Sequence, residues 1–279
     1  MTQTPVADTV RFEFGSNWSR YLECVDEERI KSAETSLIEM VGSETIAGRT
    51  FLDAGSGSGL FSLAAARLGA ARIHSFDYDR RSVATTSEMK RRFGPANVEW
   101  TIERGDILDP QYLASLGRWD VVYSWGVLHH TGSMWTAISN ACDLVADGGV
   151  LFIAIYNDQG RKTQLWTKVK RLYSRNAIGR AVVASAFVPY WTLRGAVGDL
   201  VRLRNPLRRY RAYKSERGMS IYHDWLDWLG GYPFEAARPE AVIRQILERG
   251  FSLRNLTTAG GGLGCNEFVF QRTAPSSNS

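Results

Sequence analysis

Between residues 50 and 156 short apolar runs alternate with longer amphipathic ones, and few folds accept that alternation. Segments 50–54, 72–76, 98–102, 120–124 and 150–156 read as strands. Segments 60–68, 80–93 and 134–145 read as helices, the first stopped by Gly69 and the second by Gly94-Pro95. Short buried strands separated by helices pair in parallel, because each crossover must return the chain to the same sheet edge. The pattern breaks at Asn157 and resumes near Pro239. There 240–248 reads as a helix stopped by Gly250, and 251–257 and 267–271 as strands joined by a flexible turn over 260–264. An earlier helix is predicted from Asp26, with Ile30, Ala33, Leu37 and Val41 on one face and Gly42 as its stop. The predicted fold is α/β: seven mostly parallel strands, helices on both faces, and a helical insertion after the fifth strand.

Composition bounds the alternatives. Across 279 residues, 44% hydrophobic and 23% charged side chains give a globular balance. Cys24, Cys142 and Cys265 lie far apart, without CxxC or His partners at ligand spacing, so neither a disulfide framework nor a metal site is expected. The N-terminal MTQTPVADTVRFEF has no basic start and no apolar core of a signal peptide. The longest apolar stretch, 181–193, is broken by Pro189 and too short to span a bilayer. A cytoplasmic chain, at most peripheral on a membrane, is expected. Net charge is +5, yet residues 157–217 hold 15 Lys and Arg against three acids, a local +12 that leaves −7 elsewhere. The basicity belongs to the insertion.

The first strand runs into Asp53-Ala-Gly55-Ser56-Gly57-Ser-Gly59, directly before a helix. Glycines let the backbone turn sharply and approach a ligand closely. A helix N-terminus offers N–H groups to a ligand's carboxylate, and Asp53 carries a charge suited to an ammonium, directly or through water. Leu60 stands where a dinucleotide fingerprint requires glycine. The spacing instead resembles motif I of the class I S-adenosylmethionine-dependent methyltransferases, a Rossmann-like family, and later residues match in the family's order. The resemblance, over roughly 45–156 and 238–272, implies that Asp77, ending the second strand, accepts both ribose hydroxyls. It implies that Asp106 binds the adenine amino group and that Ile107 packs against the base. Ser124-Trp125-Gly126-Val127-Leu128-His129-His130 resembles motif IV, and Ala146-Asp147-Gly148-Gly149 its turn before the fifth strand. Tyr78 and Trp125 complete the implied cofactor lining. Trp18 or Tyr21 in the aromatic lead (Phe12, Phe14, Trp18, Tyr21) could cover the sulfonium or latch the lead to the domain.

A sulfonium is an activated methyl donor, so transfer needs alignment, exclusion of water and, for a hydroxyl acceptor, a proton sink. Two of the four histidines, His129 and His130, fall at the mouth of the fourth strand, beyond which ligands of such sheets bind. Either could be the base or orient the acceptor. His223-Asp224 and Cys265 are weaker candidates to border the acceptor, and His74, within the second strand, reads as structural.

These readings divide the chain into a lead and lid (1–45), a cofactor-binding core (46–156), a basic insertion or acceptor cap (157–237), the rest of the core (238–272) and a disordered tail (273–279). The layout resembles the ubiquinone O-methyltransferase group, where the corresponding insert is associated with membrane contact. Trp166, Val169, Leu172 and Tyr173 recur at helical spacing among Lys162, Lys168, Lys170, Arg171 and Arg175, followed by AVVASAFVPYWTL and the arginine-rich 200–211. Apolar faces rimmed by arginine suit an anionic membrane or a lipid-linked acceptor. An RNA-contacting surface ranks below this, and a plain solvated basic face is the bland alternative. The function expected is S-adenosylmethionine-dependent methylation, at oxygen, of a small or lipid-linked biosynthetic acceptor. An RNA-modifying methyltransferase or a non-catalytic S-adenosylmethionine-binding protein would fit the same glycine loop.

Overall fold

The computed structural model describes residues 15–202, 228–262 and 264–273. Its sheet-bearing unit comprises Gly15–Gln159 and the chain from Glu235 onward; a second unit is built on Gly160–Phe234. The sheet has seven strands: β1 (Thr50–Ala54), β2 (Arg72–Asp77), β3 (Glu99–Arg104), β4 (Trp119–Trp125), β5 (Val145–Tyr156), β6 (Phe251–Thr257) and β7 (Cys265–Arg272), in the order β3-β2-β1-β4-β5-β7-β6. The first five pair in parallel, so their carboxyl ends share one edge. β7 runs antiparallel between β5 and β6, which lets the short turn over 258–264 join the last two strands.

Strand alternation supplies two cores. Phe51, Val121, Tyr123, Val150 and Phe152 face one side, under α2 (Glu27–Val41), α3 (Leu60–Arg67) and α4 (Arg80–Phe93). Leu52, Val122, Leu151 and Ile153 face the other, under α5 (Pro110–Leu116), α6 (Met134–Asp143) and α9 (Pro239–Leu247). On α2 the buried residues are Ile30, Ala33, Leu37 and Val41, with Asp26 as N-cap and Gly42 as stop. The face predicted from spacing is the face that is buried.

Three local features depart from the sequence reading. α5 is a seven-residue helix begun by Asp109, whose carboxylate accepts from Gln111 and Tyr112 N–H, with Pro110 in its first turn. It is too short to show a period, and Asp-Pro was its only signal. β5 starts at Val145, so the predicted turn at 146–149 is a kink inside the strand: Gly148 has φ 73° and the register slips between Trp119 and Val121. A helix α1 (Gly15–Leu22) occupies part of the aromatic lead. Phe12, Phe14 and the tail beyond Thr273 lie outside the described residues.

The second unit contains α7 (Arg161–Arg175) and α8 (Ala177–Val201), joined at Asn176, whose side chain caps α8 by accepting from Gly179 N–H. Tyr173, Val183 and Leu229 are buried there, with Trp166, Val169, Phe187, Trp191 and Trp228 packed around them. Lys170 overturns its expected place on the basic rim. It is 1% exposed, donates to the Trp228 carbonyl and sits 4.4 Å from the Trp228 ring centre and 5.0 Å from that of Phe234. Burial draws its ammonium down to about 7. A buried cation needs ring faces and a carbonyl to offset lost hydration, and this unit supplies both.

Candidate active site

The site is built at the carboxyl edge, where β1 meets α3. The turn after Ala54 hooks onto β2: Gly55 and Ser56 both donate to the Phe76 carbonyl, at 2.8 and 3.1 Å. Gly57 N–H donates to Asp77 Oδ2 at 3.0 Å, while Asp79 N–H takes Oδ1 at 2.8 Å. Side chains on the turn have no room. A Cβ at Gly55 (φ 89°) would lie 2.5 Å from Val127, and one at Gly57 (φ 55°) 3.0 Å from the Trp18 ring. Ser56 Oγ pairs with Thr86 Oγ1 at 2.9 Å, and Gly59 forms the N-cap of α3 without any side-chain cap. The N–H groups of Gly55, Ser56, Gly57 and Gly59 are thus engaged within the protein. A ligand carboxylate would meet the uncapped first turn of α3 and not the glycines themselves.

Asp53 lies beneath the turn. It is 2% exposed and accepts from Ser62 Oγ; Ser62 pairs with Ser75 at 2.7 Å, which takes Trp100 Nε1–H at 2.8 Å. Burial pushes its carboxyl up to about 7, against the Ser62 bond that favours the anion. Asp53 therefore supports the turn from beneath. Asp77 is pushed up to about 6, again by burial, with its backbone N–H bonds working the other way.

The adenine-side residues are unequal. Asp106 is half-buried, with Oδ1 accepting from Leu108 N–H at 2.9 Å. Ile107 is 4% exposed, its side chain spent on the core and its carbonyl accepting from Asn140 Nδ2 at 2.8 Å. Tyr78, 47% exposed, lies with its ring 5.2 Å from the Arg104 guanidinium. Trp125, 45% exposed, donates through Nε1 to Glu267 on β7 at 2.9 Å. Trp18 lies against Gly57, with Tyr21 edge-on to it at 6.1 Å. α1 is fixed there because Gly15 N–H donates to Asp79 Oδ2 at 2.9 Å.

His129 and His130 end a 3-10 turn after β4 (Leu128–His130), with ring centres 4.5 Å apart. Tyr156, ending β5, lies 4.1 Å from His129 and 5.6 Å from His130. His129 is fully buried and His130 half-buried, so the latter is the imidazole with access to solvent. Cys265 starts β7 opposite Tyr156, and burial pushes its thiol up to about 12, which keeps it protonated at neutral pH. His74 bonds Tyr112 Oη at 3.2 Å and pairs with Glu103 at 3.3 Å, in keeping with a structural part. His223 and Asp224 lie outside the described residues. Sequence reasoning missed Asp79, Glu235 and Glu267. Asp79 stands just before a helix and carried an N-cap signal, whereas the other two act across sequence separations of 101 and 142 residues that no local pattern records.

Asp53 titrates higher folded than unfolded, so the folded state binds the proton more tightly. Its contribution to stability falls as pH rises from about 4 to about 7, and is then fully lost. Asp53→Asn, which keeps an oxygen for Ser62, should therefore gain in Tm over the parent as pH rises from about 5 to about 8. Thermal melts that stay parallel across this range would show that Asp53 does not titrate there.

The comparisons with known proteins agree with this geometry. A family model described as a methyltransferase domain matches residues 26–197. A ubiquinone biosynthesis O-methyltransferase of Methylobacterium sp. (strain 4-46) is 27% identical over 181 residues, 63% of this chain and 61% of that protein. A ribosomal protein L11 methyltransferase of Halorhodospira halophila is 44% identical over 59 residues, 21% of this chain and 20% of its own length. The chain therefore spans less than two thirds of these curated relatives. Among solved structures, magnesium protoporphyrin IX methyltransferase from Synechocystis PCC 6803, with bound S-adenosylhomocysteine, superposes with a TM-score of 0.55 at 14% identity, over 93% of this chain and 94% of that one. The N-methyltransferase NodS from Bradyrhizobium japonicum WM9, also with S-adenosylhomocysteine, gives 0.51 at 16%, over 93% and 98%. The glycine turn, the β3-β2-β1-β4-β5-β7-β6 sheet and the matched model lead to one conclusion: the chain belongs to the class I S-adenosylmethionine-dependent methyltransferase family.

Proposed function

We propose that this protein binds S-adenosylmethionine at the β1–α3 turn and transfers its methyl group to a hydroxyl of a small or lipid-linked acceptor. The observation that carries the reading is the Asp77 carboxylate, held by the backbone N–H groups of Gly57, Tyr78 and Asp79 at the lip of the glycine turn. A carboxylate has about four acceptor sites, so one stays open to a ribose hydroxyl beside these three bonds. The uncapped N-terminus of α3 suits the carboxylate of the amino-acid end, and half-buried Asp106 suits the adenine amine. Tyr78, Trp125 and Trp18 offer ring faces around the turn. When bound, the cofactor supplies a methyl group already activated on sulfur.

What remains for the protein is alignment and a place for the acceptor's proton. His130, half-buried on the turn after β4, is proposed as the base, with buried His129 packed behind it. Oxygen as the accepting atom is supported by the ubiquinone biosynthesis relative and by this imidazole. His130→Gln should lower labelled methyl transfer from S-adenosylmethionine into a cell extract by about 100-fold or more, with unchanged affinity for S-adenosylhomocysteine. Transfer at the parent rate would remove His130 from the mechanism. An absence of label in every fraction with the parent protein would favour a non-catalytic binding role.

A lipid-linked acceptor is supported by α8, which leaves Ile178, Val182, Tyr190, Leu193, Val197 and Leu200 exposed, with Arg180, Arg194 and Arg202 among them. No helix among the described residues is long and apolar enough to cross a membrane. Peripheral contact predicts co-sedimentation with phosphatidylglycerol vesicles that Arg180→Glu plus Arg194→Glu weakens about 30-fold or more, at about 1 kcal/mol per arginine lost. Binding indifferent to those changes, or none, would leave α8 without a lipid role.

A further inference from the structure

The chain re-enters the sheet-bearing unit at Glu235, and within three residues it is bonded to two strand exits. Glu235 N–H donates to the His129 carbonyl at 3.0 Å, and Glu235 Oε2 accepts from Met134 N–H at 2.9 Å. Ala237 N–H donates to the Tyr156 carbonyl at 3.0 Å, and its own carbonyl accepts from Asp158 N–H at 3.1 Å, making a parallel bridge between Asn157 and Ala237. Tyr156 is also the residue whose ring packs against both histidines. The histidine turn is therefore held through its main chain on one side and through its rings on the other.

α6 depends on this arrangement. Ser133 at its N-cap makes no side-chain bond and its first turn holds no acid. Thr131 Oγ1 is committed to the Leu128 carbonyl at 2.8 Å and to Ser133 N–H at 3.2 Å. The first N–H groups of a helix need an acceptor, and a carboxylate there also meets the positive end of the helix dipole. Glu235 provides it from 101 residues away. Burial raises its carboxyl, and the Met134 and Gly132 N–H bonds lower it again, so this carboxylate is bonded on both sides of Ser133.

We infer that Glu235 is a positioning residue for the His129–His130 turn: its carboxylate caps α6 and its N–H fixes the His129 carbonyl, so together they set where both imidazoles point. The inference rests on reading that turn as the proton-accepting part of the site. A displacement of about 1 Å in such a group is enough to cost two orders of magnitude in rate. The local sequence of the turn does not supply this restraint: Thr131 Oγ1 is already committed and the Ser133 side chain makes no cap bond.

The test is NMR of the full-length protein labelled at histidine Cε1, with the four histidine signals assigned by single His→Gln variants. Glu235→Ala should displace the His129 and His130 signals and move the His130 titration midpoint by about half a pH unit or more. His74, bonded to Tyr112 and Glu103, should stay in place. Glu235→Gln keeps an oxygen for Met134 N–H and should return both signals to their parent positions. If the alanine variant does not fold, Glu235→Asp, shorter by one methylene, takes its place under the same criteria. Signals that superimpose on the parent in the folded variant would overturn the proposal. So would a glutamine variant as displaced as the alanine one, since that would make the effect one of charge. The readout needs neither cofactor nor acceptor, so it fails separately from the methyl-transfer reading.

Discussion

One carbonyl, that of Phe76, receives both Gly55 and Ser56 N–H, and the next residue, Asp77, receives Gly57 N–H through its side chain. These bonds pin the exit of β1 to the exit of β2, and the remaining site geometry follows from them. The turn cannot rise from the sheet, so α3 starts at Leu60 directly after Gly59, an N-cap that supplies no side-chain bond. Val127 closes over Gly55 and Trp18 over Gly57, so β4's exit and α1 meet the same turn. Because β1 to β5 are parallel, Asp77, Asp106, Trp125, His130 and Tyr156 all emerge at one edge.

Burial governs the electrostatics of that edge. Asp53 lies beneath the turn, bonded to Ser62, with its carboxyl pushed up to about 7, while Asp77 at the lip is held to about 6. The more exposed position with more backbone donors keeps the more available anion, which is the one suited to sugar hydroxyls. The histidine pair follows the same logic of depth. His129 is fully buried beside Tyr156 and His130 only half so, which separates a packed imidazole from one open to solvent.

The parts of this structure that obey a local period could be read from the chain. α4 begins and ends where its spacing and its Gly94-Pro95 stop put it, and β1 spans the five residues predicted. Asp77 and the glycines were legible because strand, turn and helix follow each other without a gap. α5 was missed because seven residues hold less than two helical turns, too few for a stripe to appear. Lys170 was placed on the rim because a lysine at helical spacing is ordinarily solvated; the aromatic rings that bury it come from Trp228 and Phe234, more than fifty positions on. Motif position placed Ile107 and Asp53 beside a ligand, but it carries no record of burial, and both side chains are buried, at 4% and 2% exposure. Glu235 had no local signature at all.

The account stands on Asp77 clasping the sugar of a sulfonium nucleotide. Isothermal calorimetry with S-adenosylhomocysteine on the parent protein and on Asp77→Asn tests it most directly. The account predicts saturable binding by the parent and a loss of about 10-fold or more in the variant, as expected for hydrogen bonds to a charged group. No heat with the parent, or equal affinity in the two proteins, would contradict it.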